Sequence, residues 1–319
     1  RNHPFGWEAE EAIDYARGQV SKLIGADPKE IIFTSGATEA DNLAIKGVFE
    51  MYASKGNHII TATTEHKAVL DTCKHIEKLG GEVTYLPVNA EGLIDLKELE
   101  AAIKPTTILV AIMYANNEIG TLQPIAEITQ IAHRHGAIVH CDAAQAVGKF
   151  PINLAGDAWQ VDLLSASAHK LYGPKGIGLL FVRRGLRATP LQPLHYGGGQ
   201  ENGLRSGTSN VPAIVGFGEA CRLCAAEMKE DGDRVVRLRD LLDPNYVPAP
   251  PAPKQPTAFQ QHLVRWRGEA EYLLNEIRYT AAALDLARTT LARRDGRWGF
   301  AGGNPRRHAA LKALSHRSV

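Results

Sequence analysis

A regular alternation of short apolar runs with longer amphipathic segments restricts the fold of this sequence more than any other feature. Apolar runs bounded by glycine, proline and polar residues are typical of strands covered on both faces. The predicted strands are 31–34, 58–63, 82–86, 108–113, 137–140, 161–165 and 176–182. Helical periodicity marks the segments 9–23, 43–52, 66 onwards, 96–103, 124–134 and 213–230. Strands that alternate with helices form parallel sheets with right-handed crossovers. We therefore expect a three-layer α/β/α domain around a mainly parallel, mixed sheet of about seven strands.

Polar and ionisable side chains follow these strands at the positions where each strand ends. They are Thr38, His66, Asn117, Asp142, Gln145, Ser167, His169 and Lys170. Each has an ordinary explanation: Thr38 and Asp142 can cap helices, Asn117 can form a turn, and His66 can lie on the surface. Because ligands bind at the carboxyl ends of parallel strands, their shared position predicts a single crevice that contains them all.

Lys170 lies in the connection between the predicted strands 161–165 and 176–182. A lysine at the rim of a buried sheet is partly desolvated, which favours the neutral amine that attacks a carbonyl to form a Schiff base. The alternative is a solvated loop lysine. The neighbouring His169, the hydroxyls of Ser165 and Ser167, and the glycines at 173, 176 and 178 favour a functional loop.

Asp142 indicates which aldehyde such a lysine would bind. A carboxylate at a buried strand end needs a cationic partner to stay charged, and a pyridinium nitrogen is one. The turn Gly36-Ala37-Thr38 opens a helix after a strand, where free backbone N–H groups favour a phosphate. The flat ring of His66 could cover the ring of a cofactor. Together with Lys170, these groups predict a pyridoxal 5'-phosphate site.

Six motifs then resemble a known family. They are FTSGATEADNLAIKG, TEHKAVLDTC, NNEIG, CDAAQAVGK, SAHKLYGPKGIG and GGGQENGLRSGT, and they occur in this order within residues 2–230. This region is similar to the cysteine desulfurases of iron–sulfur cluster assembly, which are fold-type I pyridoxal phosphate enzymes of the class-V aminotransferase superfamily. The resemblance implies L-cysteine as substrate, L-alanine as product, and transfer of the sulfur to an acceptor or scaffold protein.

The resemblance also implies a role for each site residue. Lys170 matches the lysine that holds the cofactor aldehyde, and Asp142 matches the acid that pairs with the ring nitrogen. His66 matches the histidine that stacks on the ring and transfers protons, and Gln145 matches the side chain near the phenolic oxygen. The phosphate contacts match Gly36, Ala37, Thr38, Ser167 and His169.

Two further matches concern the substrate and a second subunit. Asn117 matches an asparagine near the substrate carboxylate. Thr208 matches a threonine that reaches the phosphate in the partner subunit's site, so the resemblance implies a homodimer. The family's Ser-Ser-Gly-Ser-Ala-Cys loop, whose cysteine takes up the sulfur, is not recognisable here, and no cysteine follows Cys224. The chain could therefore lack turnover.

The C-terminal part differs in composition from the matched part. Residues 1–243 contain 11 Arg and 13 Lys, whereas residues 244–319 contain 10 Arg and 2 Lys. We predict a large cofactor-binding domain at 1–228, a helix end and proline-rich linker at 229–256, and a divergent, partly helical tail at 257–319. A shifted reading frame or a fusion would explain this tail. The sequence begins at Arg1, without a methionine and within the matched pattern, so we expect that its natural N-terminus is missing.

Composition and charge restrict the possible partners and cellular compartment of the protein. A net charge of +1 gives no general attraction to nucleic acid or to an anionic membrane, and no apolar run is long enough to span a bilayer. Four cysteines in 319 residues are too few for a disulfide framework, so we expect a cytoplasmic protein. Two other functions stay open: another carbon–sulfur or carbon–selenium lyase or an aminotransferase on the same scaffold, and a non-catalytic cofactor-binding or dimer-partner protein.

Overall fold

The computed structural model of the protein describes residues 4–156, 159–188 and 191–242. Its strands are β1 Ile31–Thr34, β2 His58–Ala62, β3 Glu82–Leu86, β4 Thr107–Ala111, β5 Ile138–Asp142, β6 Leu163–Ser167 and β7 Gly178–Val182. Its helices are α1 Pro4–Ile24, α2 Ala37–Met51, α3 Lys67–Lys78, α4 Leu96–Ala102, α5 Ile125–Arg134 and α6 Val211–Leu242. Every strand predicted from the sequence is present, with ends that move by a few residues.

The seven strands form one sheet in the order β1-β7-β6-β5-β4-β2-β3. Strands β2 to β6 pair in parallel, whereas β7 is antiparallel to both of its neighbours, β6 and β1. The strand β1 therefore points in the same direction as β6. This arrangement confirms the mainly parallel, mixed sheet, and it brings the ends of β1 and β6 together on either side of Gly178.

Alternate residues of the strands face two separate hydrophobic cores, as the period of two requires. Ile31, Phe33 and Ile60 face the core that contains residues of α1, α4, α5 and α6. Ile32 and Ile59 face the core that contains residues of α2 and α3. Helices therefore cover the sheet on both faces, and the three-layer prediction is confirmed.

Two connections depart from the strand–helix alternation. The described residues between β5 and β6 contain no α-helix. The connection from β6 to β7 carries a short 3-10 helix at Ala168–Leu171, which ends at Tyr172 in the left-handed conformation with φ of +64°. Asp142 and Ser167 are the last residues of β5 and β6, whereas the prediction from the sequence placed them just beyond the strands.

The helix α6 runs through residue 228, where the sequence analysis placed the end of the large domain, and continues to Leu242. The domain boundaries stay a prediction. The proline-rich linker at 246–256 and the tail at 257–319 lie outside the described residues. Among the helices that the structure describes, none has the length and apolar character needed to cross a membrane.

Candidate active site

A cavity of about 430 Å³ opens at the carboxyl edge of the sheet, next to the ends of β1, β5 and β6. Of the eleven predicted site residues, ten line it: Gly36, Ala37, Thr38, His66, Asn117, Asp142, Gln145, Ser167, His169 and Lys170. The eleventh, Thr208, is exposed and lines a different cavity of about 660 Å³, which also contacts Arg17 and Glu201. The common edge of the sheet therefore brings together the residues that the sequence analysis grouped.

The start of α2 provides free backbone N–H groups on one side of the cavity. Gly36 is the N-cap residue of this helix, and no side chain of the described residues caps the first turn, so the capping role considered for Thr38 is not observed. Gly36 has φ of +154° and ψ of 177°, a conformation that is essentially restricted to glycine. Unsatisfied N–H groups and the positive end of the helix dipole make this turn suitable for an anion.

Gly178 allows that turn to lie against the sheet. A Cβ atom at position 178 would lie 2.6 Å from the Cα of Gly36 and 2.5 Å from the carbonyl oxygen of Ala166. Because β1 and β6 flank β7, Gly178 sits between the turn and the end of β6. Close backbone packing therefore sets the position of the anion-binding turn.

The end of β6 and the 3-10 helix after it bring three further side chains into the cavity. The Ser167 hydroxyl lies 2.8 Å from Nδ1 of His169, and Ser167 is buried. Lys170 is half-buried in the 3-10 helix, and no described residue accepts a hydrogen bond from its Nζ atom. The amine is thus held at the cavity without a competing partner in the described part of the chain.

Asp142 is a buried carboxylate that forms no ion pair with a described residue, and the nearby His140 and His66 favour its charged form less than burial opposes it. It is 5% exposed, and one oxygen accepts a hydrogen bond of 2.9 Å from the backbone N–H of Ala144. Burial, reinforced by the nearby charge of Asp41, raises the pKa of Asp142 to about 7. A cation placed in the cavity beside this carboxylate would remove that penalty.

His66 and Gln145 complete the predicted set. The Nδ1 atom of His66 accepts a hydrogen bond of 3.1 Å from the backbone N–H of Ala68 and so caps α3. A neutral His66 ring therefore carries its proton on Nε2. Gln145 is half-buried, and its Oε1 atom accepts a hydrogen bond of 2.7 Å from Nζ of Lys149.

A group of buried ionisable residues at and behind the cavity was not predicted from the sequence. Asp41, on α2, lines the cavity and is 1% exposed, and burial raises its pKa to about 7. His140 lies 3.4 Å from Asp41 and 2.8 Å from the hydroxyl of Ser165, and burial lowers its pKa to about 4. Glu65 is also buried, and burial raises its pKa well above its usual value. The signal for Asp41 was its place one turn after the start of α2.

A second missed contact joins the cavity to the segment that contains Thr208. Arg205 donates a hydrogen bond of 2.9 Å to Glu39, a cavity-lining residue in the first turn of α2. Burial opposes ionisation of Glu39, but hydrogen bonds from Arg205 and from the backbone of Ser35 hold its pKa below the usual value. The carboxylate beside the anion-binding turn is therefore neutralised by an arginine.

Comparison with known proteins identifies the family to which the chain belongs. The family model for class-V aminotransferases matches residues 1–243. The chain belongs to the class-V aminotransferase family. The cysteine desulfurase IscS of Mannheimia succiniciproducens is 58% identical over 242 residues, which cover 76% of this chain and 59% of that protein. The IscS of Proteus mirabilis is 59% identical over 239 residues, which cover 75% of this chain and 58% of that protein. This class-V chain thus spans about three fifths of the length of these relatives.

Solved structures show the same fold. A NifS-like protein superposes with a TM-score of 0.72 and 44% identity, covering 76% of this chain and 66% of that one. A structure of SspA in complex with cysteine superposes with a TM-score of 0.66 and 48% identity, covering 69% of this chain and 63% of that one. The family's members are pyridoxal phosphate enzymes. Within the residues that the structure describes, Asp142 is buried without an ion-pair partner and no side chain caps the turn at Gly36; both features fit a cofactor that has a basic ring nitrogen and a phosphate.

Proposed function

We propose that this class-V chain is a cysteine desulfurase that uses pyridoxal phosphate to convert L-cysteine to L-alanine and passes the sulfur on for iron–sulfur cluster assembly. The observation that carries this proposal is one cavity with an amine, Lys170, and a buried carboxylate, Asp142, neither of which has an ion-pair partner in the described part of the chain. The relatives named cysteine desulfurase IscS support the choice of reaction.

Most of the predicted site residues in the cavity have a proposed task. Lys170 holds the cofactor aldehyde, and Asp142 holds the ring nitrogen in its protonated form. The main chain of Gly36 and Ala37 binds the phosphate together with the side chains Thr38, Ser167 and His169. When bound, the cofactor supplies a ring that withdraws electrons from the α-carbon of an amino acid. His66 presents its Nε2 proton to the cavity, and Asn117 binds the substrate carboxylate.

The cysteines of the sequence favour a second candidate, a non-catalytic cofactor-binding or dimer-partner protein. Cys73, Cys141, Cys221 and Cys224 are all buried. Burial raises the pKa of the Cys73 and Cys224 thiols to about 12 and those of the other two well above their usual value. A thiol must ionise to attack sulfur, so none of the four is suited to receive it from the substrate.

Spectroscopy and product analysis separate these candidates. We expect purified protein with pyridoxal phosphate to show a protein-bound absorbance band, and borohydride reduction to leave a cofactor adduct on the peptide that contains Lys170. Lys170→Ala should abolish both. Lys175→Ala is the matched control, because Lys175 also lines the cavity, and it should keep the adduct. An adduct that stays after Lys170→Ala would refute the assignment.

Incubation with L-cysteine then tests turnover. Alanine and sulfide in equal amounts, in the presence of an added thiol, would support the desulfurase and show that an external acceptor takes up the sulfur. A bound cofactor with no alanine would favour the non-catalytic candidate. Selenocysteine and other amino acids, analysed in the same way, distinguish a different lyase or an aminotransferase.

We also propose a homodimer that acts in the cytoplasm with sulfur-acceptor or scaffold proteins. Thr208 is exposed and lies outside the cavity that holds the other site residues, as a residue contributed to a partner subunit would. Equilibrium sedimentation should give twice the chain mass, and Thr208→Ala should weaken cofactor binding without changing the absorbance maximum. A monomer with full cofactor affinity would argue against this arrangement.

A further inference from the structure

The contact between Lys149 and Gln145 fixes the orientation of an amide at the cavity. Lys149 lies four residues after Gln145, and its Nζ atom donates a hydrogen bond of 2.7 Å to Oε1 of Gln145. Gln145 lines the cavity, whereas Lys149 does not. No described residue accepts a hydrogen bond from Nε2 of Gln145.

Hydrogen-bond chemistry decides which end of this amide faces Lys149. The oxygen and nitrogen of a glutamine side chain are hard to distinguish by shape, so the partner must assign them. An ammonium group is only a donor, and it can pair with the amide oxygen but not with the NH₂ group. With the oxygen engaged outside the cavity lining, the NH₂ group of Gln145 is the end left for a ligand.

We propose that Lys149 is a positioning residue that holds Gln145 with its NH₂ group as a donor toward an anionic oxygen of the bound ligand. The proposal rests on the proposed function, in which that oxygen belongs to the cofactor ring. Without Lys149, the amide can turn over and present its carbonyl oxygen, which repels an anionic oxygen. The cavity would then lose a donor while keeping every residue that lines it.

Other groups around Lys149 add a smaller effect. Burial of the ammonium group and the charge of Lys170 lower the pKa of Lys149 to about 8, and a negative charge on the sulfur of Cys224 would act in the opposite direction. Lys149 as a whole is exposed, so solvent screens its interactions with these charges. The proposed positioning of Gln145 therefore depends on the hydrogen bond from Lys149. Gln145, Lys170 and Cys224 are the neighbours that a pH-dependent measurement has to take into account.

The test is a pH titration of the absorbance of protein-bound pyridoxal phosphate, with no substrate present. A donor to the ring oxygen makes that oxygen less basic, so Lys149→Met should raise the apparent pKa of the bound chromophore by about 0.5 to 1. The dissociation constant of the cofactor should rise by roughly 3- to 10-fold. Lys149→Arg keeps a cationic donor and should stay near the wild type. Lys97→Met, on the exposed face of α4, is the matched control.

A double-mutant cycle separates positioning from a simple charge effect. In a Gln145→Leu background, Lys149→Met should add little to either quantity, because the amide on which it acts is gone. Equal effects of Lys149→Met with and without Gln145 would overturn the proposal, and so would a chromophore that titrates as in Lys97→Met. Melting curves without cofactor show whether each variant is folded. If wild-type protein shows no bound chromophore at all, the proposed function fails instead.

Discussion

Replacing Asp142 with asparagine tests the physical basis of the site without relying on turnover. The pKa of the Asp142 carboxyl rises from 3.8 to about 7 in the folded protein because the group is buried beside Asp41. A group with a raised pKa in the folded state contributes stability below its unfolded pKa and loses it as the pH rises toward the folded value. The cofactor-free protein should therefore lose stability between about pH 4 and pH 7 from this group.

The size of the effect follows from the shift. A difference of about three pKa units corresponds to at most about 4 kcal/mol, of which about 3 kcal/mol develops between pH 5 and pH 8. Asp142→Asn removes the titration but keeps an oxygen that can accept the hydrogen bond from Ala144. The variant without cofactor should thus gain stability relative to wild type as the pH rises, by up to about 3 kcal/mol between these two pH values.

Urea unfolding of cofactor-free protein at about pH 5 and about pH 8 measures this difference directly. Asp71→Asn is the matched control, because the Asp71 side chain is 66% exposed. This substitution removes an exposed carboxylate and not a buried one. Added pyridoxal phosphate should stabilise wild type more than Asp142→Asn at about pH 8, since an amide cannot pair with the ring nitrogen. If the unfolding free energies of wild type and Asp142→Asn without cofactor differ by the same amount at both pH values, the reasoning is refuted.

Two further predictions concern the framework of the protein. Gly178→Ala should destabilise the protein by about 1–3 kcal/mol and weaken cofactor binding, because its Cβ would collide with the backbone of Gly36. Gly18→Ala, which has no atom within 4 Å of its new Cβ, should not destabilise the protein in the same unfolding assay. Arg17→Met should cost about 3 kcal/mol in urea unfolding, because it leaves the carboxylate of Glu201, 6% exposed, without its ion-pair partner at 2.8 Å. If Arg17→Met lowers the free energy of unfolding by less than about 0.5 kcal/mol, the pair contributes no more than an exposed surface salt bridge and the prediction is wrong.

The sequence alone predicted the sheet and the grouping of most site residues. Apolar runs that alternate with helices are compatible with only a few sheet topologies. The carboxyl ends of parallel strands lie at a common edge, and this does not depend on how the side chains pack. For this reason residues as far apart in the chain as Thr38 and Lys170 could be assigned to one cavity. The reversed strand β7 was not predicted, because a short apolar run has the same pattern in either direction.

Only the tertiary structure determined the contacts between residues that are distant in the chain and the ionisation of the side chains that these contacts bury. The raised pKa of Asp142 depends on burial and on Asp41, which lies on another element. The role of Gly178 depends on the backbone of Gly36 across the sheet. A local pattern shows where a side chain stands along its strand or helix, but the burial and neighbours that set its ionisation are known only after the elements have packed.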